Sequence, residues 1–307
     1  MTETAIIADS ACCLPKAMSE KYNISYVPLG YSVNGVAHTD PMRDDDIVSL
    51  FASGTLGKKN DVETTAPRVE QFEQAIRKKI AQGYKRVIVQ TVNRTQGETY
   101  ANANTAVSNV KRNLTEKGVT VRVMDSRTVF AGQGLMAIET VRRLMKEKSE
   151  DIARRKMDVL SEKIHTFIVP KDIVLARARG VKRGEHNISK GKAFFANALG
   201  IHPLICNMND SSYVPATIRG FDNAVKALFD HARSRIEAGL YSPIITVNYA
   251  GSMEVLKSMP GYSDLERATK AKKLMLMPCV ASIACGVYAS PGSISLALAT
   301  EPHEWGN

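Results

Sequence analysis

Lys85-Arg86-Val87-Ile88-Val89-Gln90-Thr91-Val92-Asn93-Arg94 is a short apolar run that ends on an amide and a guanidinium. Residues 85–92 read as a strand. Upstream, Val69, Phe72, Ile76 and Ile80 recur at helical spacing between Pro67 and Gly83, which predicts a helix that Gly83 stops. Downstream, 100–117 reads as a helix with Gly118 behind it, 119–124 as a strand ending at Asp125-Ser126, and 134–148 as a helix. Leu135, Ile138, Val141, Leu144 and Met145 make that helix's apolar face, and Glu139 pairs with Arg143 on its exposed side. Strand and helix alternate, which predicts a parallel sheet with helices over its faces. Ligands of such sheets bind beyond the carboxyl ends of the strands. Asp9-Ser10, Asn93-Arg94 and Asp125-Ser126 all lie at such ends.

Working outward, residues 4–8 read as a buried strand and 24–33 as an irregular or edge strand containing Pro28 and Gly30. Three acids at 44–46 open a short helix through Phe51, and 53–61 is a loop rich in Gly and Lys. A mixed charge run over 146–156 marks a solvated helix face where the chain leaves a first domain. Beyond it come a strand at 165–169, a basic and poorly periodic loop with Arg177, Arg179, Lys182 and Arg183, and a helix at 192–199. Strands at 201–206 and 213–218 flank the turn 209–212, and a helix spans 221–238. Further strands follow at 244–249, 273–277 and 294–299. The expectation is an α/β protein of two α/β domains, residues 1–160 and 161–307, with a ligand site at their seam.

Composition narrows the function. The chain has 307 residues, 44% hydrophobic and 23% charged, enough to bury a substantial core. Aromatics are 6% with a single tryptophan, so a stacking platform for single-stranded nucleic acid is not expected. The net charge of +10 suits DNA, an acidic ligand, an acidic partner or solubility alone. No helix-turn-helix or zinc-finger signal accompanies it. The N-terminus lacks the basic and apolar regions of a signal peptide, and no run reaches the length of a membrane span, so the expected location is the cytoplasm. Five cysteines without metal spacing read as buried reduced thiols. No metal and no cofactor is expected.

The polar clusters at strand–helix junctions carry the chemistry. Thr64-Thr65-Ala66-Pro67 precedes a helical run, where threonine serves as an N-cap and a helix start attracts anions. Asn93-Arg94 adds a guanidinium that matches a carboxylate or phosphate, although an exposed loop arginine is the simpler reading. Ser290-Pro291-Gly292 is a third small, hydroxyl-bearing junction. Gly132-Gln133-Gly134-Leu135-Met136-Ala137 matches a dinucleotide fingerprint in the wrong context, so its glycines read as backbone permissiveness at a helix start. His202 reads as a packed residue, and His165 and His231 have no acidic partner at catalytic spacing. Neither a Gly-x-Ser-x-Gly elbow nor a phosphate-binding loop is present.

In order and spacing, several segments resemble the DegV family of fatty-acid-binding proteins over nearly the whole chain. Ile6-Ile7-Ala8-Asp9-Ser10 through Leu14-Pro15, Thr64-Thr65-Ala66-Pro67 and Thr99-Tyr100-Ala101-Asn102-Ala103 are similar to its early motifs. So are Val123-Met124-Asp125-Ser126, Ile201-His202-Pro203-Leu204-Ile205, Arg219-Gly220 and Ser290-Pro291-Gly292 to its later ones. The resemblance implies two α/β domains with a long-chain fatty acid between them and its carboxylate on threonine and serine hydroxyls near the seam. It also implies, in some bacteria, a carrier that presents the acid to a separate ATP-dependent fatty acid kinase. The chain departs from the pattern where the family's paired serines fall on Asn93 and Arg94, and its histidine on Tyr288. The Gly-Gly-Arg segment is replaced by the basic stretch 177–187. The expected carboxylate ligands are Thr64, Thr65, Asn93, Arg94 and Tyr288, with Arg177, Arg179, Lys182 and Arg183 as a docking surface for an anionic partner. The function expected is lipid binding without turnover. The alternatives are a small-molecule kinase-like or hydrolytic enzyme in the inter-domain cleft, or a nucleic-acid-binding protein.

Overall fold

The structure, a computed structural model, describes residues 3–112, 114, 118–182 and 200–306. The chain opens on β1 (Thr4–Asp9), α1 (Lys16–Lys21), β2 (Ser25–Val27), β3 (Gly30–Val33), β4 (Val36–Thr39), α2 (Asp44–Ala52) and β5 (Val62–Thr65). It continues through α3 (Val69–Ala81), β6 (Arg86–Thr91), α4 (Thr99–Arg112), β7 (Thr120–Asp125), α5 (Phe130–Lys146) and α6 (Glu150–Ser161). The second half runs β8 (Ile164–Val169), α7 (Ile173–Lys182), β9 (Ile201–Met208), β10 (Ser211–Arg219), α8 (Phe221–Ala238) and β11 (Ile244–Tyr249). It ends with α9 (Met253–Ser258), α10 (Tyr262–Ala271), β12 (Met275–Val280), α11 (Ile283–Tyr288) and β13 (Ile294–Ala299).

The first sheet has the order β2-β1-β6-β7 with every pair parallel, as the strand–helix alternation predicts. The second, in the order β10-β9-β8-β13-β11-β12, is mixed: only β11 and β12 run parallel. A third, small antiparallel sheet, β4-β3-β5, covers the junction. The single irregular strand expected at 24–33 is two strands in different sheets. Pro28 has no N–H to carry one ladder through, and the Leu29 N–H turns to Ser10 Oγ at 2.9 Å.

α5 lies between the two large sheets and is buried from Phe130 to Val141. It therefore has no exposed side where Glu139 could sit. Glu139 is fully buried and accepts from Arg142, Arg143 and Ser242 Oγ. Gly132 and Gly134 fall at the start of this helix, as expected, but neither has a positive φ, so close contact and not backbone permissiveness requires them. A Cβ on Gly132 would meet Thr166 Oγ1 and one on Gly134 the Cys13 carbonyl oxygen. The basic stretch expected as a loop is helix α7 up to Lys182, because Leu175 and Arg179 bury one face of it, one turn apart. Arg183, the helix expected at 192–199 and residues 115–117 of the expected helix end lie outside the described residues. No helix among the described residues is long and apolar enough to cross a membrane.

Candidate ligand-binding site

A cavity of about 370 Å³ opens where the two large sheets and the small one meet, within the size range of small-molecule sites. Its floor is apolar: Ala11, Leu29, Val62, Val92, Val129, Phe130 and Ala284. Its rim is polar: Thr64, Thr65, Gln96, Glu98, Thr99, Arg179, Lys182 and Tyr288. Phe130 opens α5 with a φ of 46°, a strained conformation for an aromatic residue that the surrounding packing imposes.

The threonines reach the rim from a strand. Pro67 restricts Ala66 to extended backbone, and β5 pairs with β3 through Thr64 opposite Tyr31 and Thr65 opposite Gly30. They do not cap α3. Its N-cap is Arg68, whose N–H donates to Gln71 Oε1 at 2.8 Å. Thr64 Oγ1 lies 2.8 Å from the Tyr288 hydroxyl at the end of α11, so residues 224 apart in sequence form one polar pair.

Arg179 is the group the sequence placed on a docking loop and the fold places in the cavity wall. It is 7% exposed. Nη1 donates to the Val287 carbonyl at 2.7 Å and Nη2 to the Leu56 carbonyl at 3.0 Å. No carboxylate pairs with it among the described residues. Burial pulls its pKa down, but a guanidinium stays protonated. Two backbone carbonyls thus hold this buried cation directly, the Asp61 and Asp172 charges act on it from beyond ion-pair distance, and it lines the cavity. The signal in the sequence was its spacing from Leu175, four residues back on a helix.

The other expected ligands are elsewhere. Asn93 is 1% exposed, and its Oδ1 accepts the Thr95 N–H at 2.8 Å. Arg94 is outside the cavity, its guanidinium engaged by Asp125 and Asp210. Both follow Val92, which faces the cavity, and the chain turns away after it. Ser290, with φ of 88°, accepts the Asp172 N–H at 2.9 Å and anchors the start of α7. Arg177 is exposed on α7, and Lys182 pairs with Asp61 at 2.7 Å and Glu63 at 2.5 Å beside the mouth. The five cysteines are buried and unbridged; burial pushes the Cys13 thiol up to about 12.

His202 is packed, its Nδ1 3.0 Å from the Pro170 carbonyl oxygen. His165 and His231 meet His303 and the single tryptophan, Trp305. The Nε2 atoms of His231 and His303 are 2.8 Å apart, and the His231 and Trp305 rings stack at 4.0 Å. Burial holds His165 at about 4 and His231 at about 3. The unfolded chain, with histidines near 6.5, binds more protons below that pH, so stability is full above about 6.5 and lost as pH falls toward 4. Each histidine contributes up to about 1.4 kcal/mol per pH unit. Asp9, raised to about 6 by burial, opposes them between about pH 6 and 4, and so do Asp40, Asp44, Asp125 and Glu150, whose carboxyls burial also raises. The histidine contribution is therefore expected to show locally, as a change in Trp305 emission between about pH 6.5 and 4. Trp305 emission flat from pH 7 to 4.5 would refute it.

A sequence model described as "Uncharacterised protein, DegV family" matches residues 3–301. The chain belongs to the DegV family. A DegV domain-containing protein of Xanthomonas axonopodis pv. citri (strain 306) is 26% identical over 306 residues, 97% of this chain and 98% of that protein. The DegV fold is also shared with a crystal structure described as a fat acid (stearic acid)-binding protein from Eubacterium ventriosum ATCC 27560. The TM-score is 0.79 at 22% identity, covering 98% of this chain and 99% of that one. Another is described as DegV, a fatty acid binding protein from Bacillus subtilis, with a TM-score of 0.73 at 16% identity and coverage of 98% and 100%. Set in the DegV fold, the departures at residues 93, 94 and 288 separate: Tyr288 is on the cavity, and Asn93 and Arg94 are not.

Proposed function

We propose that this protein binds a long-chain fatty acid, or an acidic lipid of similar shape, in the cavity and does not turn it over. The observation that carries the reading is Arg179, a buried guanidinium that pairs with no carboxylate among the described residues, on the wall of a cavity with an apolar floor. The acid head sits against Arg179, Thr64 and Tyr288, with Thr65 beside them. The acyl chain runs over Leu29, Val62, Val92 and Phe130, each buried CH₂ contributing about 0.8 kcal/mol. The fatty-acid-binding descriptions of proteins with the same fold support this choice of ligand. Presentation of the head group to a separate ATP-dependent kinase, in the cytoplasm, belongs to the same proposal. Arg177 and Lys182 are the cations such a partner would meet near the mouth.

Gentle purification followed by mass spectrometry of an organic extract is expected to return about one acyl lipid per chain. Delipidated protein given fatty acid at about 100 times its Kd is expected to gain about 2.7 kcal/mol. No lipid in the extract and no thermal shift with fatty acid would sink the reading. A shift with ATP and magnesium alone would replace it with the kinase-like one.

A further inference from the structure

Arg94 follows β6 in the turn that leads to the cavity residues Gln96 to Thr99. Its backbone N–H donates to Asp125 Oδ1 at 3.2 Å. Its Nε lies 3.5 Å from Asp125 Oδ2, and its Nη2 donates to Asp210 Oδ2 at 3.2 Å. Asp125 ends β7 in the first sheet, whereas Asp210 belongs to the hairpin tip between β9 and β10 in the second. Asn209 and Asp210 both have positive φ, 44° and 67°, the backbone of a tight primed turn. That tip is drawn onto the first lobe. The Asp210 N–H donates to the Arg127 carbonyl at 3.2 Å, and Arg127 Nη1 donates to Asn209 Oδ1 at 3.2 Å and Glu162 Oε1 at 2.8 Å.

The two carboxylates depend on this arginine. Their side chains are 9% and 19% exposed. Asp125 Oδ2 and Asp210 Oδ1 accept no hydrogen bond. Arg94 is the one cation that ion-pairs with both among the described residues; Arg127 contributes a backbone N–H to Asp125 and its side chain to Asn209 and Glu162. Two shielded like charges on one guanidinium repel when it is removed. Burial and the Asp210 charge already raise the pKa of Asp125.

We propose that Arg94 is a positioning residue. It lets a carboxylate from each lobe meet at the seam, and so fixes the cavity wall at residues 96–99 and Val129. The ligand consequence rests on the lipid-binding reading; the clasp itself does not.

The test compares wild type, Arg94→Ala, Asp210→Asn and the double variant. The readouts are amide hydrogen exchange at 93–99 and 208–212, and release of cis-parinaric acid. At pH 8, Arg94→Ala is expected to exchange about tenfold faster than wild type in both segments, less than for a fully buried pair because Arg94 is half-exposed. The double variant is expected to return most of the protection, because one of the repelling charges is gone. The gap between Arg94→Ala and wild type should shrink at pH 5. Release of cis-parinaric acid should speed up in Arg94→Ala and recover in the double variant. Wild-type exchange in Arg94→Ala, or a double variant as fast as the single, overturns the clasp. If Arg94→Ala does not fold, Arg94→Lys serves: intermediate exchange supports the proposal and wild-type exchange overturns it. A wild type that never takes up cis-parinaric acid removes the lipid reading, and the exchange arms still decide the clasp.

Discussion

Arg179→Leu is expected to lose acidic-lipid affinity by about 100-fold or more while the empty protein stays folded. In the loaded protein the guanidinium and the ligand carboxylate form a desolvated pair. Removing one partner of such a pair costs about 3–5 kcal/mol, because the other is left buried and uncompensated, and each 1.4 kcal/mol is tenfold in affinity. In the empty protein two effects oppose each other. Leucine leaves the Val287 and Leu56 carbonyls without their donors, at a cost of about 1–3 kcal/mol each. It also removes a buried cation that no carboxylate among the described residues ion-pairs with, which is favourable. Thr64→Val and Tyr288→Phe each remove a neutral hydrogen bond and are expected to cost about fivefold. Titration with a fluorescent fatty acid, beside urea melts of the delipidated proteins, separates the contributions. Wild-type affinity in Arg179→Leu would show that the head group lies elsewhere. An unfolded Arg179→Leu would mean that the guanidinium is a strut; Tyr288→Phe with unchanged affinity would then dismiss the head-group site as well.

Gly134→Ala is expected to be among the most destabilising single methyl additions in the chain. The new Cβ would stand 2.2 Å from the Cys13 carbonyl oxygen, a backbone atom that cannot rotate away. α5 cannot retreat either, since β11 and β13 of the second sheet pack against it and Thr246 Oγ1 donates to the Ala131 carbonyl at 2.6 Å. Overpacking costs about 1–3 kcal/mol where side chains can yield and more where they cannot, so a loss of about 3 kcal/mol or more is expected. Ala137, also buried on α5, supplies the control: Ala137→Gly should cost about 1 kcal/mol through helix propensity. A urea midpoint for Gly134→Ala within error of wild type would show that the β1–α1 turn moves aside freely.

The parallel first sheet was legible because a short apolar strand at 85–92 and an amphipathic helix at 69–80 differ in period, and period is local. The rim was half legible. Thr64 and Thr65 were picked out as hydroxyls near a helix start, but β5 presents them, and only pairing with β3 could show that. Glu139 and Arg143 have the spacing of an exposed pair, yet the packing of α5 between two sheets buries Glu139 fully and leaves Arg143 only partly exposed. Arg94 looked like the ligand cation and Arg179 like a surface charge. Both are arginines in basic surroundings, and sequence carries no record of which carbonyls or carboxylates will fold against each.

The chain alone determined the alternation of strand and helix in the first large sheet, the absence of local nucleophile motifs and the family, since these rest on neighbours within a few residues; it did not show the small sheet β4-β3-β5 or the helix α7. Tertiary structure decided which cation faces the cavity and which one clasps the lobes. Those outcomes depend on Leu56, Val287, Asp125 and Asp210, groups that lie 31 to 123 residues away along the chain. Burial, which gives a charge its chemistry, is a property of the whole packed protein and not of any segment.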